Sequence, residues 1–266
     1  MKVLIVCPKC NQMYFEGNTA FGAPTIHSVP ITDNGICIFT CERGHTTSTL
    51  FTQPKFEVLC EVAAQAIVDG YFRDAVASFA AALERAMEFY CRVIFNTRGK
   101  DDEFNLAWNP LDKSSERQFG FFHAVFSMEN SKKVPALNDG KKGTQFRNKV
   151  VHKGYIPAKA ETVEFGQTIV DLIIEIIAPL HTKYAASVSN VTEALLPPRA
   201  ERPSSRSYNR SLFEWQQTGE RFPTLKLSTF IERESEQKKH VAFSNFLAGF
   251  PPTPGSSLAL PRTDCS

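Results

Sequence analysis

Between positions 76 and 94 the apolar residues Val76, Phe79, Ala80, Leu83, Met87, Tyr90 and Ile94 recur at intervals of three and four, drawing one stripe along a helix of about seven turns. A helix striped this way must lay its apolar face on other elements, so the stretch commits the middle of the chain to a helical bundle. Neighbouring segments agree. Phe56, Leu59, Ala63, Ala66 and Ile67 predict a helix over 56–69, and Gly70 breaks or bends the chain before the long helix. Residues 101–110, with Trp108, read as a polar connection. Ser114 or Ser115 with Glu116 or Gln118 caps a helix running to about position 128, with Phe119, Phe122, Val125 and Phe126 inward. A short helix over 144–153 stops at Gly154 and Pro157, and a last one over 159–187 buries Val163, Val170, Ile173, Ile174 and Ile177. The expected fold class is mainly α, a helical bundle preceded by a small β module.

That module spans 1–54. Strands are predicted over 3–6, 35–40 and 46–51, the second entered through the turn signal Asp33-Asn34-Gly35. It has too few apolar residues to hold together by burial alone. Cys7-Pro8-Lys9-Cys10 forms one knuckle and Cys41-Glu42-Arg43-Gly44-His45 a second, so Cys7, Cys10, Cys41 and His45 offer a tetrahedral ion a Cys₃His set. One structural zinc is expected, closed by four ligands and with no open position for chemistry. The arrangement resembles a zinc ribbon. Two features keep alternatives open. The interval from Cys10 to Cys41 needs a long loop, and Cys37, on the same strand face as Cys41, competes with His45 as fourth ligand; reduced cysteine pairs without metal are the other reading.

Arg147-Asn148-Lys149-Val150-Val151-His152 sets a permanent cation, a carboxamide and an imidazole on little more than one turn of predicted helix. A histidine takes the proton of a 2′-hydroxyl near neutral pH, and an arginine holds the charge that builds on a phosphate under attack. DNA lacks that hydroxyl. No catalytic metal is needed. At about 100° per residue Asn148 and His152 stack one above the other, whereas Arg147 points away on the stripe it shares with Val151. One copy therefore spreads its groups, and two copies across a two-fold axis would gather them. Between Lys132 and Lys153 seven basic residues, including Lys141, Lys142 and Lys149, face the single acid Asp139, while the whole chain carries only +2. Such a local field suits an RNA substrate. Glu84 and Glu88, one turn apart beside the long stripe, either orient Arg147 or His152 or are simply solvated.

Arg-Asn-x-x-x-His followed by Lys153-Gly154-Tyr155-Ile156-Pro157 resembles the signature of HEPN domains (higher eukaryotes and prokaryotes nucleotide-binding), helical bundles that include many RNA endonucleases of bacterial conflict systems. The likeness extends to the run from Tyr71 to Arg85 and to Ser115-Glu116-Arg117-Gln118, covering roughly residues 56–185. It implies an α-helical fold, homodimerisation through the motif helices and metal-independent cleavage leaving a cyclic phosphate. By the resemblance Arg147 and His152 are the catalytic pair and Asn148 their polar companion, while the local charge makes Lys141, Lys142, Lys149 and Lys153 the expected contacts for RNA. A toxin or antiviral-defence setting, with an antitoxin or other regulatory protein as partner, is implied by the family alone. Members without activity serve as RNA- or nucleotide-binding modules or as interaction scaffolds, which are the alternative functions.

Seven cysteines with no secretory signal fit a reducing cytosol. The most apolar stretch, 169–180, is short and interrupted by Asp171 and Glu175, so no membrane span is expected. The bundle is taken to run over 55–187. A proline-, serine- and arginine-rich linker follows over 188–209, then short helices over 210–250 built on Phe213, Trp215, Phe222, Phe230, Phe243, Phe246 and Phe250, then a disordered tail over 251–266.

Overall fold

The computed structural model describes residues 2–17, 26–111, 113–135, 143–207, 213 and 226–248 of the 266-residue chain. The N-terminal part contains β1 (Lys2–Val6), α1 (Pro8–Phe15), β2 (Ile26–Pro30), β3 (Ile36–Thr40) and β4 (Thr46–Phe51). The bundle follows with α2 (Lys55–Val68), α3 (Phe72–Asn96), α4 (Asp101–Trp108), α5 (Ser115–Asn130), α6 (Thr144–Lys153), α7 (Lys159–Lys183) and α8 (Ala185–Ala194). Strand β5 (Ser205–Ser207) and helix α9 (Leu227–Ala248) come last. The protein is mainly α, with two small sheets, and no described helix is long and apolar enough to cross a membrane.

Helix α3 is the axis of the bundle, in contact with α2, α4, α5, α6, α7 and α8. Val76, Phe79, Leu83, Tyr90 and Ile94 of its stripe are buried, together with Ala75, Ala82, Ala86, Cys91 and Val93 on its flanks, so the helix is covered over more than one face. Phe122 and Phe126 of α5 pack on Tyr90, while Phe165, Ile169 and Ile173 of α7 complete the same core. Gly166 allows a close approach. A β-carbon there would stand 2.5 Å from the Phe79 ring and 2.6 Å from Leu227, the first residue of α9.

Several expectations are corrected. Residues 101–108 are helical rather than a polar connection: three acids in the first turn complement the helix dipole, and Phe104 and Trp108, one turn apart, are buried and stacked on each other. In α5 it is Phe121, not Phe119, that packs on the core; Phe119 is exposed. The last predicted bundle helix breaks at Tyr184, where α7 ends and α8 begins, so α8 occupies part of the expected linker. The same stretch holds β5, which pairs in parallel with β4 and gives the sheet order β3-β4-β5. Over Leu227–Ala248 the described residues form one helix, α9, where short helices were expected, and its Leu227, Phe230 and Ile231 dock on the bundle. Phe213 lies against Phe56, whereas Trp215, Phe222, Phe250 and the expected tail fall outside the described residues.

The break at Tyr184 is fastened by Glu129. This nearly buried carboxylate at the end of α5 accepts from the Tyr184 hydroxyl, from Lys183 at 2.9 Å and from Arg98 at 2.7 Å. Burial alone would raise its pKa, but these three donors outweigh that and hold it down to about 2. A carboxylate so depressed contributes stability that is complete above its ordinary value and is lost as pH falls from about 4.5 toward about 2. Urea melts from pH 7 to pH 2 should show this loss, and Glu129→Gln should start less stable with a flatter acid limb. Gly166→Ala should cost about 1–3 kcal/mol in the same melts, because the added methyl meets a packed ring.

Candidate functional site

Two elements of the N-terminal part bring four ligating side chains together. Cys7 is the residue before α1 and Pro8 takes the first helical position, where a missing N–H costs nothing, so Cys10 comes back about one turn later beside Cys7. Helix α1 itself was not anticipated, although the proline after Cys7 signals it. Strands β3 and β4 form a hairpin, and its loop is closed by the Cys41 N–H donating to the His45 carbonyl at 3.0 Å and the Gly44 N–H to the Cys41 carbonyl at 2.8 Å. The ligating atoms of Cys7, Cys10, Cys41 and His45 all lie within 4.8 Å of one another. Cys10 Sγ is 3.8 Å from Cys41 Sγ and 3.3 Å from His45 Nδ1, and Cys7 Sγ is 3.8 Å from the same nitrogen. A tetrahedral ion with thiolate bonds of about 2.3 Å and an imidazole bond of about 2.0 Å sets edges of about 3.8 Å between sulfurs and about 3.5 Å from sulfur to nitrogen. The cluster can hold a metal ion.

Thiol acidity within the cluster is uneven. Burial, reinforced by the Cys7 and Cys41 thiols, pushes Cys10 up to about 11. Burial also acts to raise Cys41, yet N–H donors from His45 and Arg43 prevail and lower it. Cys37, the alternative ligand, stands apart: its thiol donates to the Pro30 carbonyl at 3.3 Å and its side chain belongs to a small core with Ile5, Val29 and Phe51. Cys60 and Cys91 are buried in the bundle core, and burial raises both thiols. Elemental analysis of the purified chain should find one metal ion, lost in Cys10→Ser and kept in Cys37→Ser. Affinity should fall as pH falls, because the ion must displace thiol protons and Cys10 holds its own through the neutral range.

The Arg147 to His152 segment lies on α6, as its capping signals predict. Phe146 and Val150 face inward, Phe146 against Phe165 at 5.4 Å, and Gly154, at φ +70°, ends the helix in the left-handed conformation. Arg147 is about one-quarter exposed and donates from Nη2 to Glu84 of α3 at 3.3 Å and from Nη1 to Asn148 Oδ1 at 3.0 Å. Arg147 and Asn148, expected to diverge, are thus joined by the reach of the guanidinium. Glu88 is engaged elsewhere, by Arg85 and Arg92. His152 is exposed and makes no hydrogen bond or ion pair among the described residues.

Around α6 the lysines differ in their circumstances. Lys149 sits over the Tyr155 ring with its ammonium 3.5 Å from the centroid, and the Tyr155 hydroxyl donates to Glu161 at 3.0 Å. Lys153 is exposed on the last turn; Lys141 and Lys142 lie outside the described residues. Arg73, at the start of α3, donates to the Val151 carbonyl at 3.4 Å and adds a cation that the sequence reading had not placed here. Tyr155 also went unassigned, though an aromatic just after a helix-ending glycine is a usual packing residue. His181 is pushed down to about 4 by burial and stays neutral near pH 7, and His123 is exposed beside Phe119. The surface of α6 therefore presents a fixed guanidinium, an accessible imidazole and further cations, a set able to bind a phosphodiester and move a proton. No protein-family model, curated protein or solved structure matches the chain.

Proposed function

We propose that this chain is a metal-independent endoribonuclease of the HEPN type that works as a homodimer, with a single structural zinc organising its N-terminal module. The observation that carries the reading is the pairing on α6 of a guanidinium steered by Glu84 and Asn148 with an exposed imidazole at His152 that is unengaged among the described residues. In the proposed reaction His152 removes the proton from a ribose 2′-hydroxyl. That oxygen attacks the adjacent phosphorus, the P–O5′ bond breaks, and the leaving oxygen takes up a proton from the histidine of the second protomer. Arg147 holds the charge on the non-bridging oxygens; Asn148, by occupying one guanidinium nitrogen, limits its freedom. Lys153 and Arg73 draw in the strand, joined by Lys149, Lys141 and Lys142.

Zinc suits the Cys₃His donor set and its tetrahedral edges, and a four-ligand shell has no position for water, so the ion supports the fold and takes no part in cleavage. The Glu84–Arg147 contact is also what a non-catalytic module would use to fasten α6 to α3, so RNA binding without cleavage is the second reading. Incubation with RNA in EDTA separates the two. Fragments ending in 2′,3′-cyclic phosphate are expected from the wild type, with His152→Ala and Arg147→Ala at least about a hundredfold slower and unchanged in sedimentation. Retention of RNA in gel-shift assays with no cleavage at any concentration would favour the binding module.

A further inference from the structure

A cavity of about 760 Å³ opens where three parts of the chain meet: the loop 31–35 with Phe51 and Gln53, the facing sides of α2 and α3, and the segment 192–201 that leads toward β5. Its size falls within the range of about 300–1,000 Å³ usual for small-molecule sites. Val58, Leu59, Leu195 and Leu196, all at least partly exposed, give it an apolar wall. Another wall is polar and held in place. Arg85 and Arg92 share the single carboxylate of Glu88; Arg85 is also tied to Gln118 at 3.1 Å, and Arg92 lies over the Phe104 ring at 4.5 Å. Two guanidiniums share this one carboxylate, and five N–H groups on each exceed the acceptors that Glu88, Gln118 and Asn105 supply. Asp33 and Lys55, also in the lining, neutralise each other at 2.5 Å, and Glu201 is exposed to solvent.

We propose that this cavity binds a small organic anion. An apolar body lies along Val58, Leu59 and Leu195, and an acidic group meets Arg85 and Arg92. The site is separate from α6 and does not depend on the nuclease reading. Because its walls come from both the sheet and the bundle, an occupant ties these parts together.

The dye 8-anilinonaphthalene-1-sulfonate joins an aromatic body to a sulfonate and serves as the probe. Titrated into the full chain, it should show saturable fluorescence at one molecule per chain and raise the melting temperature. Arg85→Met should weaken binding by about tenfold or more. Val58→Trp and Thr192→Trp, which fill the cavity from α2 and from α8, should each abolish it while melting stays cooperative. Absence of saturable binding to the folded wild type, or equal binding by both tryptophan variants, would overturn the proposal. Undiminished affinity in Arg85→Met and Arg92→Met together would remove the anion from it.

Discussion

Burial around α3 is the constraint to which the rest of the molecule answers. Six other helices touch this one, and its apolar side chains supply the surface against which each is oriented. An α-helix covered on several sides has little room for polar groups, and the charged residues in the middle turns of α3, Glu84, Arg85, Glu88 and Arg92, gather along one partly exposed flank. These four are not idle charges. Glu84 steers Arg147, while the other three form the charged wall of the cavity beneath the sheet, so helix α6 and the proposed ligand site both take their polar supports from one strip of one helix.

The N-terminal part solves a different problem. Ile5, Val29, Cys37 and Phe51 are too small a cluster to hold two sheets by burial, and the cysteine-histidine cluster adds only three buried sulfurs. A bound ion would supply what burial does not. It would join the end of β1 and the start of α1 to the β3–β4 hairpin, two segments that are distant in sequence.

Much of the bundle was legible because helical periodicity is a local signal. The stripe on α3, the glycine ending α6 and the serine cap of α5 can be read within a window of two or three turns. The ligand set Cys7, Cys10, Cys41 and His45 was legible from spacing, whereas excluding Cys37 required the tertiary fact that its thiol meets the Pro30 carbonyl. What could not be read depends on partners far away in the chain. Helix α4 is secured by Phe104 and Trp108 packing with Phe95 and Phe121, and a polar composition conceals that pattern. Which of two carboxylates reaches Arg147 is likewise decided by the relative placement of α3 and α6, to which single-sequence periodicity is blind. The cavity left no trace in the sequence, since its walls come from segments more than a hundred residues apart.

Strand β5 has a consequence for how the chain comes into being. The sheet begun by the hairpin β3–β4 receives its third strand only from residues that follow α8. During synthesis the hairpin therefore emerges with β4 an open edge, and it stays one until the whole bundle has left the ribosome. The last contact to form in that sheet is a seam between the early and late parts of the polypeptide, and truncation anywhere before β5 would leave the edge bare.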